Sequence, residues 1–183
     1  MFAANGLKVF RLCWLSRPAG DRVLFRLIRQ RKPRKMMLLG LSDATRAMRM
    51  ISLAQRYNPP DQISFAGIDR FDSRPVDVPH FSLKQAHRLL RPTGSRINLI
   101  PGDPREALAR AVTALHGIEL LVVSADQEGQ SLAQAWYFVP RMLAPQAVVL
   151  REEHTEKGRV LKPMSPLDLE RLSQSAAPRR RAA

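Results

Sequence analysis

The chain has 183 residues, 45% of them hydrophobic, with 9 Gly and 14 Pro; this is enough for one ordinary domain with a real core and excludes a low-complexity or collagen-like chain. Lys and Arg number 30 against 16 Asp and Glu, a net charge of +14. The excess is uneven, with ten cations and one acid in residues 1–35 but twelve and ten in residues 36–150, so any polyanion contact is expected of the leading segment and not of the globular body.

Met1 to Arg17 places Leu7, Phe10 and Trp14 at helical spacing, while Lys8 and Arg11 interrupt what would have to be the apolar stretch of a signal peptide. Secretion is disfavoured and a cytoplasmic location expected. After Pro18, Ala19 and Gly20, Asp21 is expected to cap a helix DRVLFRLIRQR, with Val23, Leu24, Leu27 and Ile28 on one arc and Arg22, Arg26 and Arg29 opposite. A basic amphipathic helix of this kind packs its apolar face on the following domain, binds anionic lipid or RNA, or belongs to a targeting segment.

From Lys35 short apolar runs alternate with helical patterns. The expected strands are Met36–Leu39, Ile63–Ile68, Ile97–Ile100, Leu120–Val123 and Ala147–Leu150, each the kind of run that a buried parallel strand requires. Helices are expected at about Asp43–Tyr57, Ser82–Leu90, Pro104–Leu115 and Gln130–Leu143, with Ser82 and Asp103 at N-cap positions and Pro104 at the first helical position. Five βα units in succession imply right-handed crossovers and an open, doubly wound α/β sheet, mostly parallel, preceded by a basic N-terminal helical extension. Past Leu150 the chain turns polar, then offers a short strand at Arg159–Lys162 and a helix at about Pro166–Ser173 capped by Ser165. The expected organisation is a basic segment over 1–35, one domain over 36–174 and a disordered tail over 175–183 that carries Arg179, Arg180 and Arg181 in water.

No apolar run is long enough to cross a bilayer as a helix. The lone Cys13 excludes an internal disulfide and a cysteine zinc site, and the four histidines show neither HExxH nor HxxxH spacing, so no metal is expected. His80 is expected on a loop and His87 on a solvent-facing helix turn. Trp136, Tyr137 and Phe138 are expected mostly in the core, the alternative being that one edge lines a substrate pocket.

In an open α/β sheet ligands bind outside the carboxyl ends of the strands. The loops there begin Gly40-Leu41-Ser42-Asp43 after the first strand, Asp69-Arg70 after the second, Gly102-Asp103 after the third and Ser124-Ala125-Asp126 after the fourth. The first turn leads into a helix N-terminus with unsatisfied, electropositive amides. A carboxylate at the end of the second strand can accept both hydroxyl protons of a ribose. Asp43 and Asp103 equally suit plain helix-start duties.

The set MMLLGLSDATRAMRM, FAGID, INLIPGDPREAL and LLVVSAD resembles the class I S-adenosylmethionine-dependent methyltransferases, over about residues 36–151. The resemblance implies that Gly40, Leu41, Ser42 and Asp43 face the methionine part of S-adenosylmethionine, that Asp69 holds the ribose hydroxyls, that Asp103 approaches the adenine amino group, with Arg70 and Gly102 also in the cofactor site, and that Asp126 stands at the substrate edge as the catalytic candidate. The first motif of that family is typically Glu/Asp-x-Gly-x-Gly-x-Gly; here Leu38 replaces the acid, Gly40 keeps the first glycine, and Ser42 and Ala44 replace the others. A β-carbon at Ser42 restricts a turn that requires positive φ. The rival reading is a non-catalytic α/β module that kept the fold and lost the cofactor, docked by its basic helix to a protein, an RNA or a membrane surface. GLSDAT lacks the GxGxxG of dinucleotide oxidoreductases, and no P-loop motif occurs.

Overall fold

Met36 and Leu38 of β1 (Lys35–Leu39) enter one apolar core and Met37 and Leu39 another, and all four are fully buried. A strand covered on both faces needs an unbroken apolar run instead of alternation, which is the pattern MMLL presents. The computed structural model, which describes residues 5–79, 81–156 and 158–177, sets this strand inside a six-stranded sheet of order β3-β2-β1-β4-β5-β6. Parallel to β1 run β2 (Ser64–Asp69), β3 (Arg96–Pro101), β4 (Ile118–Val123) and β5 (Leu143–Thr155), and β6 (Gly158–Pro163) returns antiparallel along β5. Strand order reverses between β1 and β4, so their carboxyl ends flank the crevice where such sheets take ligands.

Eight α-helices cover the sheet among the described residues. On the face of Met36 and Leu38 lie α1 (Gly6–Leu15), α2 (Asp21–Arg31), α3 (Thr45–Ala54) and α4 (Leu83–Leu90). On the other lie α5 (Pro104–Ala111), α6 (Gly129–Ala135), α7 (Val139–Met142) and α8 (Pro166–Ser175). The N-caps at Ser82, Asp103 and Ser165 form as expected: each side chain accepts from an amide three residues on, and Gln85 closes a capping box with Ser82.

Several expectations are corrected. The helix expected over Gln130–Leu143 is two pieces, parted at Trp136–Phe138; Pro140 has no amide to continue the ladder and its ring would meet the carbonyl four residues back. The strand expected over Ala147–Leu150 runs from Leu143 to Thr155, because β6 gives its polar half backbone partners, Arg151 opposite Lys162 and Glu153 opposite Val160. Asp21 is not the cap of α2. Gly20 holds that position without a side-chain bond, and Asp21, the first helical residue, is buried against Arg46. The buried side of α2 is Leu24, Phe25 and Ile28, with Val23 and Leu27 half-buried. Trp136 is buried, Tyr137 and Phe138 are half-buried, and His87 is exposed. His80 and the triplet Arg179 to Arg181 lie outside the described residues.

No helix among the described residues is long and apolar enough to cross a membrane. Because Leu24, Phe25 and Ile28 join the core of β1, α3 and β6, the basic helix contributes to folding. Phe25→Ala should lower the unfolding free energy by about 3 to 5 kcal/mol, the usual cost of emptying a buried aromatic site; urea melts measure it, and a loss below about 1 kcal/mol would mean that α2 only rests on the surface.

Candidate functional site

Gly40 ends β1 with φ +83°, and a β-carbon there would lie 2.5 Å from Asp126 Oδ1 and 2.9 Å from Ser124 Cβ. Only glycine fits this position, both for its dihedral and because the β4 loop lies against it. The Gly40 amide donates to the Ile68 carbonyl at 2.8 Å, and Ser124 Oγ donates to the Gly40 carbonyl at 2.8 Å. The ends of β1, β2 and β4 are thus tied at one point. The next two turn positions where the resembled motif has glycine are Ser42, φ 53°, and Ala44, φ 62°. Both hold a left-handed backbone in spite of their β-carbons, at a cost of about 1 kcal/mol or more each. Leu41, between Gly40 and Ser42, is buried with its side chain against Gly67 of β2.

Asp69 is buried at the end of β2 and its carboxylate is fully engaged. It accepts from the amides of Leu41 at 2.8 Å and Phe71 at 2.9 Å, and from Nε and Nη2 of Arg74 at 2.8 Å each. Burial works to raise its pKa, but Arg74 and the two amides outweigh burial and hold the carboxyl below its ordinary value. Arg74 also donates to the carbonyls of Ser42 and Pro79 and lies over the Phe81 ring. The guanidinium therefore spans the loop after β2 and the turn after β1.

Asp126 stands across the cleft, exposed at the end of β4 with a carboxyl oxygen turned in over Gly40. Loss of solvation at that carboxyl raises its pKa, and the charge of Asp69 raises it further. Between the two acids lies a cleft of about 280 Å³ lined by Arg70, Arg74, Val78, Asp126 and Glu128 together with Asp69. The volume falls just under the roughly 300 Å³ at which small-molecule pockets begin, with the Arg74 side chain inside it. A larger cavity of about 500 Å³ opens at the amino ends of β1 and β4 beside Arg34, Glu119 and Pro145. Its acid, Glu119, is taken up by the amides of Arg34 and Lys35, and ligand sites in such sheets lie at the opposite end of the strands.

The remaining candidates divide. Asp43 is exposed and serves its own turn, accepting from the amide and hydroxyl of Thr45. Asp103 caps α5, with Oδ1 accepting from the Glu106 amide at 3.0 Å and from Ser131 Oγ at 2.7 Å. Burial opposes its charge, but these bonds keep its pKa below the ordinary value. Gly102, φ +130°, donates its amide to the Asp69 carbonyl, and Arg70 is exposed beside the cleft. Among the described residues no group of three His, Cys, Asp or Glu side chains is placed to hold a metal ion.

One constellation was not foreseen. Arg46, on α3, donates Nε to Asp21 at 3.0 Å, Nη1 to Ser124 Oγ at 3.2 Å, and Nη2 to Glu152 of β5. Glu152 in turn accepts from the Ala125 amide at 3.0 Å. Burial raises the pKa of Asp21 in spite of Arg46, while for Glu152 burial is outweighed by Arg46 and the Ala125 amide and the pKa falls. The available signal was Glu152 itself, an acid just after a buried apolar run, as Asp69 is after β2.

A calicheamicin methyltransferase superposes with a TM-score of 0.55 at 17% identity, covering 82% of this chain and 77% of that one. The chain has the fold of the class I S-adenosylmethionine-dependent methyltransferases. A carbon methyltransferase (TM-score 0.51, 12% identity, 82% of this chain and 39% of that one) and the methyltransferase domain of a bacterial Hen1 protein (0.50, 13%, 73% and 64%) share it. This chain spans less than two thirds of those last two proteins. No protein-family model matches the chain, and no curated protein matches it. The methyltransferase-fold sheet here closes with β6 alone, the strand expected at Arg159–Lys162.

Two outcomes follow from the site. Ser42→Gly and Ala44→Gly each relieve a left-handed β-carbon, less the added freedom of the unfolded glycine, and should each stabilise by about 0.5 to 1 kcal/mol in thermal melts; a loss would show that the side chains make up the strain through contacts. Asp69 and Glu152 hold their protons less tightly folded than unfolded. The stability they contribute is therefore complete above the ordinary carboxylate range of about 4 and is lost as the pH falls through their lowered values. Asp21, shifted upward, has the opposite sign: its contribution declines as the pH rises from its unfolded to its folded pKa. Urea melts across acid pH should show a shallower acid slope for Asp69→Asn than for wild type.

Proposed function

We propose that this chain is a cytoplasmic, methyltransferase-like protein that holds S-adenosylmethionine at the carboxyl ends of β1, β2 and β4. The observation that supports this most is the backbone at Gly40, Ser42 and Ala44, left-handed at all three glycine positions of the resembled motif although two are not glycine. Strain kept at a turn that packs against a cleft residue, as Gly40 does against Asp126, is characteristic of functional sites. When bound, the cofactor supplies an already activated methyl group as a sulfonium. Gly40 to Asp43 lie beside its methionine part, Asp69 and Arg70 at its ribose, and Gly102 and Asp103 toward its adenine. In the cleft lining Asp69, Asp126 and Glu128 outnumber Arg70 and Arg74 by one charge, a balance that suits a cation. Asp126 accepts the proton of the acceptor nucleophile, a task for which a raised pKa makes a carboxylate a better base.

For ribose hydroxyls to reach Asp69, Arg74 must leave it. In the proposed cycle Arg74 is displaced as the cofactor enters, which also enlarges the cleft. That same ion pair favours a second reading, a binding module in which Arg74 has replaced the cofactor permanently. A further part of the proposal is that residues 1–35, with ten cations and one acid, carry any polyanion contact.

Calorimetry with S-adenosylhomocysteine separates the two readings. Wild type should bind, Asp69→Ala should weaken binding by about 1.5 to 3 kcal/mol through loss of a charge-assisted pair of bonds, and Arg74→Ala should bind more tightly than wild type while melting lower. Absence of heat from both wild type and Arg74→Ala at millimolar ligand would leave only the module.

A further inference from the structure

The helix α1 is apolar on two sides. Val9, Leu12 and Cys13 face the core, while Leu7, Phe10, Trp14 and Leu15 are 78%, 54%, 47% and 61% exposed on the opposite side. Leu7, Phe10 and Trp14, at i, i+3 and i+7, make one stripe along the helix, and Leu15 borders it beyond the exposed Arg11 at i+4. Scattered exposed hydrophobics need no explanation, but a contiguous stripe of this kind marks an interaction surface. Arg26 of α2 lies over the Trp14 ring at 5.3 Å, so a cation borders the stripe directly.

Beside the stripe lies a cleft of about 460 Å³ lined by Lys8, Arg11, Arg17, Arg49, Leu15 and Ser16, with no acid in its wall. Ser16 is 7% exposed and its Oγ is buried without a hydrogen-bond partner. A buried hydroxyl of this kind is normally satisfied, and its placement among four cations leaves an anionic oxygen as the missing acceptor. The only acid in residues 5–35, Asp21, is buried against Arg46, so the surface around α1 has no negative charge of its own.

We propose that this end of the molecule docks on an anionic phospholipid surface, with Leu7, Phe10, Trp14 and Leu15 seated at the acyl boundary and a headgroup phosphate received by Lys8, Arg11, Arg17, Arg49 and Ser16 Oγ. Aliphatic side chains decide for lipid over nucleic acid. Phe10 and Trp14 could stack on bases, but Leu7 and Leu15 gain nothing from a base and gain fully from hydrocarbon. Tryptophan and arginine together are the residues that favour a headgroup layer, and anionic leaflets attract clusters of basic side chains. The assignment rests on the polyanion contact proposed for residues 1–35 and is independent of the methyltransferase reading.

The test uses the full chain, vesicles of equal parts phosphatidylserine and phosphatidylcholine, vesicles of phosphatidylcholine alone, and a single-stranded RNA. Wild type should float with the anionic vesicles only, and Trp14 fluorescence should shift to the blue; Trp136, 2% exposed, contributes a constant background. Leu7→Ser with Phe10→Ser should melt as wild type does and lose partitioning on the order of a hundredfold. Ser16→Ala with Arg17→Gln should weaken partitioning about tenfold while leaving the blue shift of the bound fraction in place. Vesicle binding that survives the two serine changes would mean charge attraction without insertion and would overturn the proposal. RNA binding without vesicle binding would overturn the lipid assignment and leave the polyanion contact standing, whereas binding to neither would remove both.

Discussion

A single guanidinium fixes the carboxyl edge of the sheet. Arg46 is nearly buried, with side-chain exposure of 13%, between Asp21 and Glu152, which are exposed 3% and 2%. A buried charge is tolerated only when paired and hydrogen-bonded, so the start of α2, the first turn of α3 and the far half of β5 have to meet. Through Glu152 the demand passes to the Ala125 amide, and through Ser124 to the Gly40 carbonyl. The β4 loop on one side of the cleft and the turn after β1 are therefore set by the same ion pairs that bind the first helices to the body. Removing one member would strand the others, a loss typically of 3 to 5 kcal/mol.

The turn after β1 shows what that rigidity supports. Gly40, Ser42 and Ala44 share a left-handed backbone, and the two with β-carbons hold it against an intrinsic penalty. Such a conformation persists only when its surroundings over-determine it. Here Asp69 grips the Leu41 amide, Arg74 the Ser42 carbonyl, and the Leu41 carbonyl accepts from the Ala44 amide at 2.9 Å. With β-carbons at two of the three positions, the turn still holds a left-handed backbone, at an energetic cost. Residue type sets the conformational cost of such a turn, whereas tertiary bonds decide which conformation is occupied.

The parallel core was legible because burial on both faces writes itself as continuous apolar runs, and MMLL, FAGI and LLVV each fall on a strand. Caps at Ser82, Asp103 and Ser165 were legible because each is a local bond three residues long. What stayed hidden depends on partners far away in the chain. Arg151 to Thr155 look like a polar turn until β6 supplies their ladder. Asp21 looks like a helix cap until Arg46, 25 residues on, takes its carboxylate. Asp69 could be placed at the strand end from sequence, but that Arg74 would satisfy it could not, since nothing local distinguishes that arginine from the six others from Arg46 to Arg91.

The two open borders of the sheet share a composition. β3 begins at Arg96 and ends at Pro101, and β6 carries Arg159 and Lys162 and ends at Pro163. An unpaired border strand is a template for another chain's backbone unless charge or proline blocks the approach. With Arg96 opening β3, Arg159 and the Glu153-paired Lys162 on β6, and an imino acid closing each, a second copy meets charge on each border and then a missing donor. Wherever copies crowd together, bare borders would otherwise offer a route to sheet-to-sheet polymerisation.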